Sequence, residues 1–250
     1  MIEQLPSFLV AFPFLPRWEA LSIRYERWVL DSGAWSVWNA GGSVDLTAYI
    51  AACRKALERE SPPDQIFALD VVGDWETSLQ NTQRMWAEGI EAVPTYHSGE
   101  PWDVLKRLRE TYPRIAVGGV GKSANYVKMR FANEIFARAW PAVIHGFAYC
   151  SKQYVEAFPF ASVDSTSWFL QPVRYKRYKG FDGGAWMPDT KIKSLRGEID
   201  YFIELQTKMR HRWKKQMTQI DVEGPTLYLS HPGIDIPTGF EMETSDAANK

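Results

Sequence analysis

Short apolar segments alternate with segments of helical periodicity along most of this 250-residue chain. Each apolar segment has the length of a strand, and apolar residues spaced three and four apart follow it, which is the pattern of an amphipathic helix. Strands that are buried on both faces and joined by crossover helices form parallel sheets. Seven such strands are predicted at SFLVAF 7–12, WVLDSGA 28–34, IFALDVV 66–72, AVPTYH 92–97, IAVGGV 115–120, VIHGFA 143–148 and ASVDSTS 161–167.

Seven strand–helix units favour an α/β fold of the closed (β/α)8 TIM-barrel type over an open doubly wound sheet. The eighth strand is either TLYLS 226–230 or a segment near 185–187. We predict a single barrel domain over residues 1–243 and a disordered polar tail at 244–250. A long C-terminal helix is predicted at about 191–217, with a buried stripe of Ile192, Leu195, Ile199, Phe202, Met209 and Trp213.

The composition argues against several classes of protein. The net charge is −1, so any binding of nucleic acid depends on local basic segments rather than on the charge of the whole molecule. Two cysteines, Cys53 and Cys150, are too few for a disulfide framework, and they indicate a reducing compartment. The N-terminus lacks a basic start before its apolar run, and no segment reaches the roughly 20 apolar residues of a membrane helix. We therefore expect a cytoplasmic protein.

Three aspartates, Asp31, Asp70 and Asp164, follow predicted strands at the level where barrel enzymes have their active sites. A buried carboxylate costs several kcal/mol unless it is paired, so three of them call for a cationic partner, a metal or a reaction. Two alternatives stay open, namely that each aspartate caps a helix or a turn, or that the three bind a magnesium ion. The other polar or small residues predicted at this level are His97, Gly118, Gly119 and His145.

The motifs at these strand ends resemble those of the tRNA-guanine transglycosylases. DSGAWS 31–36 is similar to the DSGG-aromatic-Gln motif of that family, and IAVGGV 115–120 resembles its Gly-Gly strand end. The VDST run at 163–166 falls where the family carries its nucleophilic aspartate. The resemblance covers about residues 28–168. The strings closest to the DNA-modifying branch, the DpdA-like DNA-guanine transglycosylases of bacterial islands and phages, are ALDVVGD 68–74, PTYHSGEPW 94–102, AVGGVG 116–121 and FASVDSTSW 160–168.

This resemblance implies a base exchange in which guanine leaves its sugar and a 7-deazaguanine such as preQ0 replaces it. The family pattern makes Asp164 the nucleophile that forms a covalent aspartyl–sugar intermediate, and it makes Asp31 the general acid and base. Asp70 would read the amidine edge of the base by accepting two parallel N–H bonds. The further substrate-binding residues that it implies are Ser32, His97, Gly118, Gly119 and Trp35.

Departures from the tRNA enzymes favour DNA as the substrate. The chain is shorter, so the part that grips tRNA is expected to be missing. Its two cysteines lie on different units, so no structural zinc and no cofactor are predicted. His97 falls where the tRNA enzymes place a base-contacting glutamine, which puts the details of base contact in doubt.

Basic and aromatic residues alternate directly after the Asp164 strand, in RYKRYK 174–179. Such a segment can neutralise phosphates and stack on bases, or it can be a solvated loop. We predict that Arg174, Lys176, Arg177 and Lys179 contact nucleic acid. A base inside a duplex must leave the stack before it can react. The candidate stacking residues near strand ends are Trp35, Trp38, Tyr96 and Trp168.

Two other functions stay open at this point. One is a catalytically silent barrel that binds nucleic acid or supports a partner enzyme, although retention of both Asp31 and Asp164 argues against it. The other is a nucleoside or DNA glycosidase, in which water replaces the incoming base. The predicted partners are DNA and a free 7-deazaguanine, without a membrane. A homodimer and a helicase-like partner stay open, and the predicted location is the cytoplasm of a bacterial or phage-infected cell.

Overall fold

A computed structural model describes residues 4–20, 24–173 and 188–230, with side chains outside 171–173 and 188–194. Arg174, Lys176, Arg177, Lys179 and the tail at 244–250 lie outside the described residues. Within them, one sheet contains eight strands, and every pairing is parallel. The strands are β1 Ser7–Ala11, β2 Trp28–Asp31, β3 Gln65–Ile66, β4 Thr95–His97, β5 Arg114–Gly118, β6 Val143–Gly146, β7 Ser162–Ser165 and β8 Thr226–Ser230.

The strand order is β3-β2-β1-β8-β7-β6-β5-β4, so that the last strand pairs with the first. The two ends of the sheet, β3 and β4, are consecutive in the chain, and a single parallel bridge between Phe67 and Val93 joins them. The sheet is thus curled in the order of a TIM-like fold, but no continuous ladder closes it. Thr226–Ser230 forms β8, which confirms the first of the two positions predicted for the eighth strand. The alternative near 185–187 lies outside the described residues.

Most strands are shorter than predicted, and the difference is largest at β3. The prediction of a strand over 66–72 is wrong beyond its first residue, Ile66, and side chains of neighbouring helices bind backbone carbonyls in the segment that follows. The Tyr49 hydroxyl donates to the carbonyl oxygen of Phe67 at 2.8 Å, and the Asn81 amide donates to that of Leu69 at 3.0 Å. The N–H groups of Phe67 and Ala68 still donate to the carbonyl oxygens of Leu30 and Val93, and beyond them the segment continues to Asp70.

Helices follow the strands and cover the outer face of the sheet. Two of them begin at aspartate caps, since Asp45 accepts from the N–H of Ala48 and Asp74 from that of Thr77. The predicted long helix is divided at Trp213, whose indole donates to the carbonyl oxygen of Val155 at 2.7 Å. The helices are α1 Leu15–Glu19, α2 Ala34–Asn39, α3 Leu46–Leu57, α4 Trp75–Ala87, α5 Trp102–Thr111, α6 Asn125–Ala139, α7 Lys152–Ala157, α8 Ser167–Val173, α9 Pro188–Arg212 and α10 Lys214–Gln219.

Two apolar clusters divide the core. The larger one lies between the sheet and the helices, and it includes Leu195, Ile199, Phe202 and Met209 of the stripe predicted for α9. The smaller one fills the inside of the curl with residues from opposite parts of the sheet: Leu9, Val29, Phe67, Val93, Ala116 and Tyr228. None of the described helices combines the length and the apolar character needed to cross a bilayer.

We expect Phe67→Ala to destabilise the fold by about 3–5 kcal/mol, because it empties the centre of the inner cluster where the two ends of the sheet meet. Urea denaturation followed by tryptophan fluorescence measures the free energy of unfolding. Leu57→Ala is the control, because Leu57 is 43% exposed at the end of α3 and its truncation should cost far less. Equal losses in the two variants would show that the inner cluster does not hold the curl.

Candidate active site

The carboxyl edge of the sheet brings Asp31, Asp70 and Asp164 into one electrostatic group. Asp31 ends β2, Asp70 lies four residues beyond β3, and Asp164 lies in β7. Burial and the negative charges of Asp70 and Asp164 raise the pKa of Asp31 to about 7, although its bond from the N–H of Gly33 opposes the shift. An acid that titrates near neutral pH can both donate and accept a proton under ordinary conditions.

The Asp-Ser-Gly turn after β2 holds the Asp31 carboxylate in place. Its Oδ2 accepts from the N–H of Gly33 at 2.9 Å. Gly33 has a φ of 71°, and a Cβ at this position would lie 2.7 Å from Cδ of Pro13. The turn therefore requires glycine. Ser32 is buried, and its Oγ lies 3.4 Å from Oδ1 of Asp70, so the same turn also contacts the second aspartate.

Asp70 is paired with His97, which ends β4. His97 Nε2 lies 2.9 Å from Oδ2 of Asp70, and its Nδ1 lies 3.1 Å from Oε1 of Glu100. Burial lowers the pKa of His97, but hydrogen bonds and charge from the two carboxylates outweigh burial and raise it to about 9. At neutral pH the ring is therefore an imidazolium that donates both of its N–H groups. The sequence analysis missed Glu100, although the His-Ser-Gly-Glu turn is a local signal for such a contact.

Two hydrogen-bond donors, one from the loop after β6 and one from β8, orient Asp164. The N–H of Ala148 donates to Oδ1 at 2.9 Å, and the Ser230 hydroxyl at the end of β8 donates to Oδ2 at 2.5 Å. Ala148 has a φ of 62°, a left-handed conformation that is uncommon for a residue with a side chain. Neither donor was predicted, because both are distant from Asp164 in the sequence and no local motif announces them.

His145 lies beneath Asp164 inside the curl of the sheet. Its Nδ1 is 2.9 Å from the hydroxyl of Ser162, and its Nε2 is 3.7 Å from Oδ1 of Asp164. The ring packs against Phe67 and Phe147, with centroids 4.6 Å apart in both cases. His145 is therefore a buried histidine held by its hydrogen bond to Ser162 and by aromatic packing.

Among the described residues, Lys128 on α6 is a lysine that lies near Asp164. Its Nζ is 3.4 Å from the carbonyl oxygen of Ala148, the residue that donates to Asp164. Burial lowers the pKa of Lys128, and the charge of Asp164 opposes that shift. The sequence analysis did not single out Lys128, whose position becomes apparent only when α6 packs beside the loop after β6.

The two adjacent glycines after β5 have different structural roles. Gly119 has a φ of 81°, and a Cβ there would lie 3.0 Å from the backbone nitrogen of Ser98, so the turn itself requires glycine. A Cβ at Gly118 would make ordinary contacts at 3.6 Å with the rings of His97 and Phe147. Gly118 thus lies against the imidazole that pairs with Asp70, which places it at the predicted site.

The four candidate stacking residues fall into two groups. Trp35 and Trp38 on α2 are 50% and 51% exposed, their rings lie 5.3 Å apart, and Lys122 Nζ lies 5.1 Å from the Trp35 ring. Tyr96 and Trp168 are buried in the core, so their rings are not available to a base, and that expectation is wrong. Their polar tips instead support the site, since they donate to the carbonyl oxygens of Glu100 and Ser230.

Comparison of the chain with protein-family models, curated proteins and solved structures finds no match. The resemblance to the transglycosylases stays a prediction from the sequence motifs. Among the residues that the structure describes, no group of three or more His, Cys, Asp or Glu side chains is arranged to hold a metal ion.

The raised pKa of Asp31 predicts how stability depends on pH. The folded protein binds this proton more tightly than the unfolded chain, so the contribution of Asp31 is fully present below about pH 4 and is lost as the pH rises to about 7. We therefore expect Asp31→Asn to exceed the wild type in free energy of unfolding by up to about 4 kcal/mol at pH 8, since each pKa unit corresponds to about 1.4 kcal/mol. Urea denaturation at pH 4, 6 and 8 should show this advantage shrinking towards pH 4. A constant difference would contradict the raised pKa.

Proposed function

We propose that this protein is a DNA-guanine transglycosylase, which replaces guanine in DNA with a 7-deazaguanine through a covalent aspartyl–sugar intermediate. The observation that carries the proposal is that three aspartates at one edge of the sheet have three different environments. Asp164 is held by hydrogen-bond donors, Asp31 has a pKa of about 7, and Asp70 is paired with an imidazolium. A nucleophile, a proton shuttle and a base reader need these three environments.

The closed (β/α)8 barrel is part of the same proposal. The strand order supports it, because β8 pairs with β1 and every other neighbour in the sheet is consecutive in the chain. The bridge between Phe67 and Val93 lies where β3 and β4 would complete the ring. In such a barrel the carboxyl ends of the strands form the active site.

Asp164 would be the nucleophile in the first step. Its oxygens accept from Ala148 and Ser230, and a carboxylate has about four acceptor positions, so lone pairs are left for attack. One oxygen forms an ester bond to C1′ while the bond from C1′ to N9 of guanine breaks. Guanine leaves with the electron pair of that bond and takes the proton of Asp31. The developing oxocarbenium charge is stabilised by the adjacent carboxylate.

Asp31 would reverse its role in the second step. The ionised carboxylate takes the N9 proton of the incoming 7-deazaguanine, whose nitrogen attacks C1′ and releases Asp164. A pKa of about 7 suits both directions of this transfer, because neither protonation state is strongly disfavoured near neutral pH.

Asp70 would read the base. Guanine presents N1–H and a 2-amino group side by side, and an ionised carboxylate can accept from both. His97 and Ser32 contact Asp70 and fix its orientation. Trp35, which is half-exposed on the helix after Asp31, supports a stacking contact with the same base.

DNA as the substrate is supported by the motif resemblance to the DNA-modifying branch. The cations near the site would serve the phosphates, with Lys128 beside the loop of Ala148 and Lys122 over Trp35. The contribution of Arg174, Lys176, Arg177 and Lys179 stays a prediction from the sequence.

The proposal predicts that radiolabelled guanine or preQ0 enters guanine-containing DNA, with tRNA tested in parallel. Asp164→Ala should abolish incorporation, and Asp31→Asn should slow it by about 100-fold or more, because the proton shuttle is lost. Asp64→Asn is the matched control, since Asp64 lies at the opposite, amino edge of the sheet, where it pairs with Arg27. This variant should incorporate label as the wild type does.

Three other results would contradict the proposal. Abasic sites without incorporated label would indicate a glycosidase, in which water enters in the second step. DNA that is bound but neither labelled nor abasic would indicate a catalytically silent barrel. Label that enters tRNA and not DNA would contradict the assignment of the substrate.

A further inference from the structure

Glu100 places a second carboxylate on His97, on the side of the ring away from Asp70. The two contacts, 3.1 Å from Nδ1 to Glu100 and 2.9 Å from Nε2 to Asp70, use both nitrogens of the imidazole. The Glu100 side chain is only 13% exposed. Its Oε2 is buried and has no hydrogen-bond partner among the described residues. The contact with His97 is therefore the main interaction that offsets the cost of burying this carboxylate.

The fold holds Glu100 in this position from the core. The buried Tyr96 donates its hydroxyl to the carbonyl oxygen of Glu100 at 2.7 Å, and the N–H of Glu100 donates to that of His97 at 3.2 Å. Gly99 supplies a φ of 100° to the turn between them. The ring of Tyr96 stacks on Trp102, with centroids 5.7 Å apart. These contacts hold the backbone of Glu100 against the core, with its side chain beside His97.

We propose that Glu100 is a positioning residue for base recognition, which acts through His97 to hold the Asp70 carboxylate aimed at the N–H groups of guanine. This inference rests on the proposed function. Glu100 itself does not contact the base in this proposal. The proposal explains why His97, the last residue of β4, lies between two carboxylates.

The charges around His97 explain how Glu100 can act on Asp70 through the imidazole. His97 is faced by Glu100 from its own turn and by Asp70 from the loop after β3, and Asp31 on β2 adds a like charge near Asp70. Without Glu100, only Asp70 would oppose the burial that lowers the pKa of His97, so the imidazolium would be less favoured. A neutral imidazole would hold the Asp70 carboxylate by a weaker hydrogen bond, so Asp70 would be aimed less firmly at the two N–H groups of guanine.

We expect Glu100→Gln to lower kcat/KM for guanine exchange by about 10- to 100-fold, because a bond to a charged partner is lost. Hypoxanthine has no 2-amino group and needs one acceptor fewer, so its kcat/KM should fall less, and discrimination between the two bases should narrow. Glu110→Gln, an exposed position at the end of α5, is the matched control. An equal loss for both bases would indicate a structural role and overturn the inference.

A double variant tests whether the effect passes through the imidazole. In His97→Gln the amide can still donate to Asp70, but it does not carry a charge that Glu100 could stabilise. Glu100→Gln should therefore cause little further loss in that background. If the losses of kcat/KM in the two single variants add in full in the double variant, Glu100 acts independently of His97, and the inference is overturned.

Titration of His97 by NMR supplies a readout that needs no activity. In the free protein its imidazole should lose its proton at lower pH in Glu100→Gln than in the wild type. An unchanged titration beside normal base exchange would overturn this inference alone. Absence of base exchange in the wild type would instead overturn the proposed function and, with it, the base-reading role of Glu100.

Discussion

Like charges meet at the carboxyl edge of this sheet, and the local structure offsets their repulsion in three ways. Asp31 titrates near pH 7, so it can hold a proton under ordinary conditions. Asp70 is balanced by the imidazolium of His97, which Glu100 balances in turn. Asp164 is stabilised by the donors of Ala148 and Ser230. Removing any one of these partners changes the electrostatic environment of the neighbouring carboxylates, so the three aspartates depend on one another.

Aromatic residues link this edge to the core. Three of them place a buried ring in the apolar clusters and a polar tip on the backbone of a strand end. Tyr49 donates to Phe67, Tyr96 donates to Glu100, and Trp168 donates to Ser230. These hydrogen bonds fix the position of the backbone that accepts them, because each ring is packed in the core and cannot shift without opening it. Some of the many Trp and Tyr residues of the chain therefore support the site from the core, and two others form the exposed pair on α2.

The sequence was informative where the signal is local. Strand–helix alternation predicted the parallel sheet, and β8 lies at one of the two positions left open for the eighth strand. The Asp-Ser-Gly turn indicated Asp31, and its glycine cannot be replaced because Pro13 leaves no room for a Cβ. The sequence was uninformative where the partner is distant, as with Ser230, which lies 66 residues from Asp164. The predicted length of β3 was also wrong, and side chains of helices α3 and α4 bind backbone carbonyls in the segment that follows the strand.

The central claim is that Asp164 forms a covalent bond to the sugar. Incubation with a guanine-containing oligonucleotide, without an incoming base, followed by denaturation and mass spectrometry of the digested protein tests it most directly. We expect an adduct with the mass of the oligonucleotide lacking guanine, located on Asp164. The adduct should be absent in Asp164→Asn and discharged by preQ0. An adduct on another residue, or base exchange at full rate in Asp164→Asn, would contradict the account.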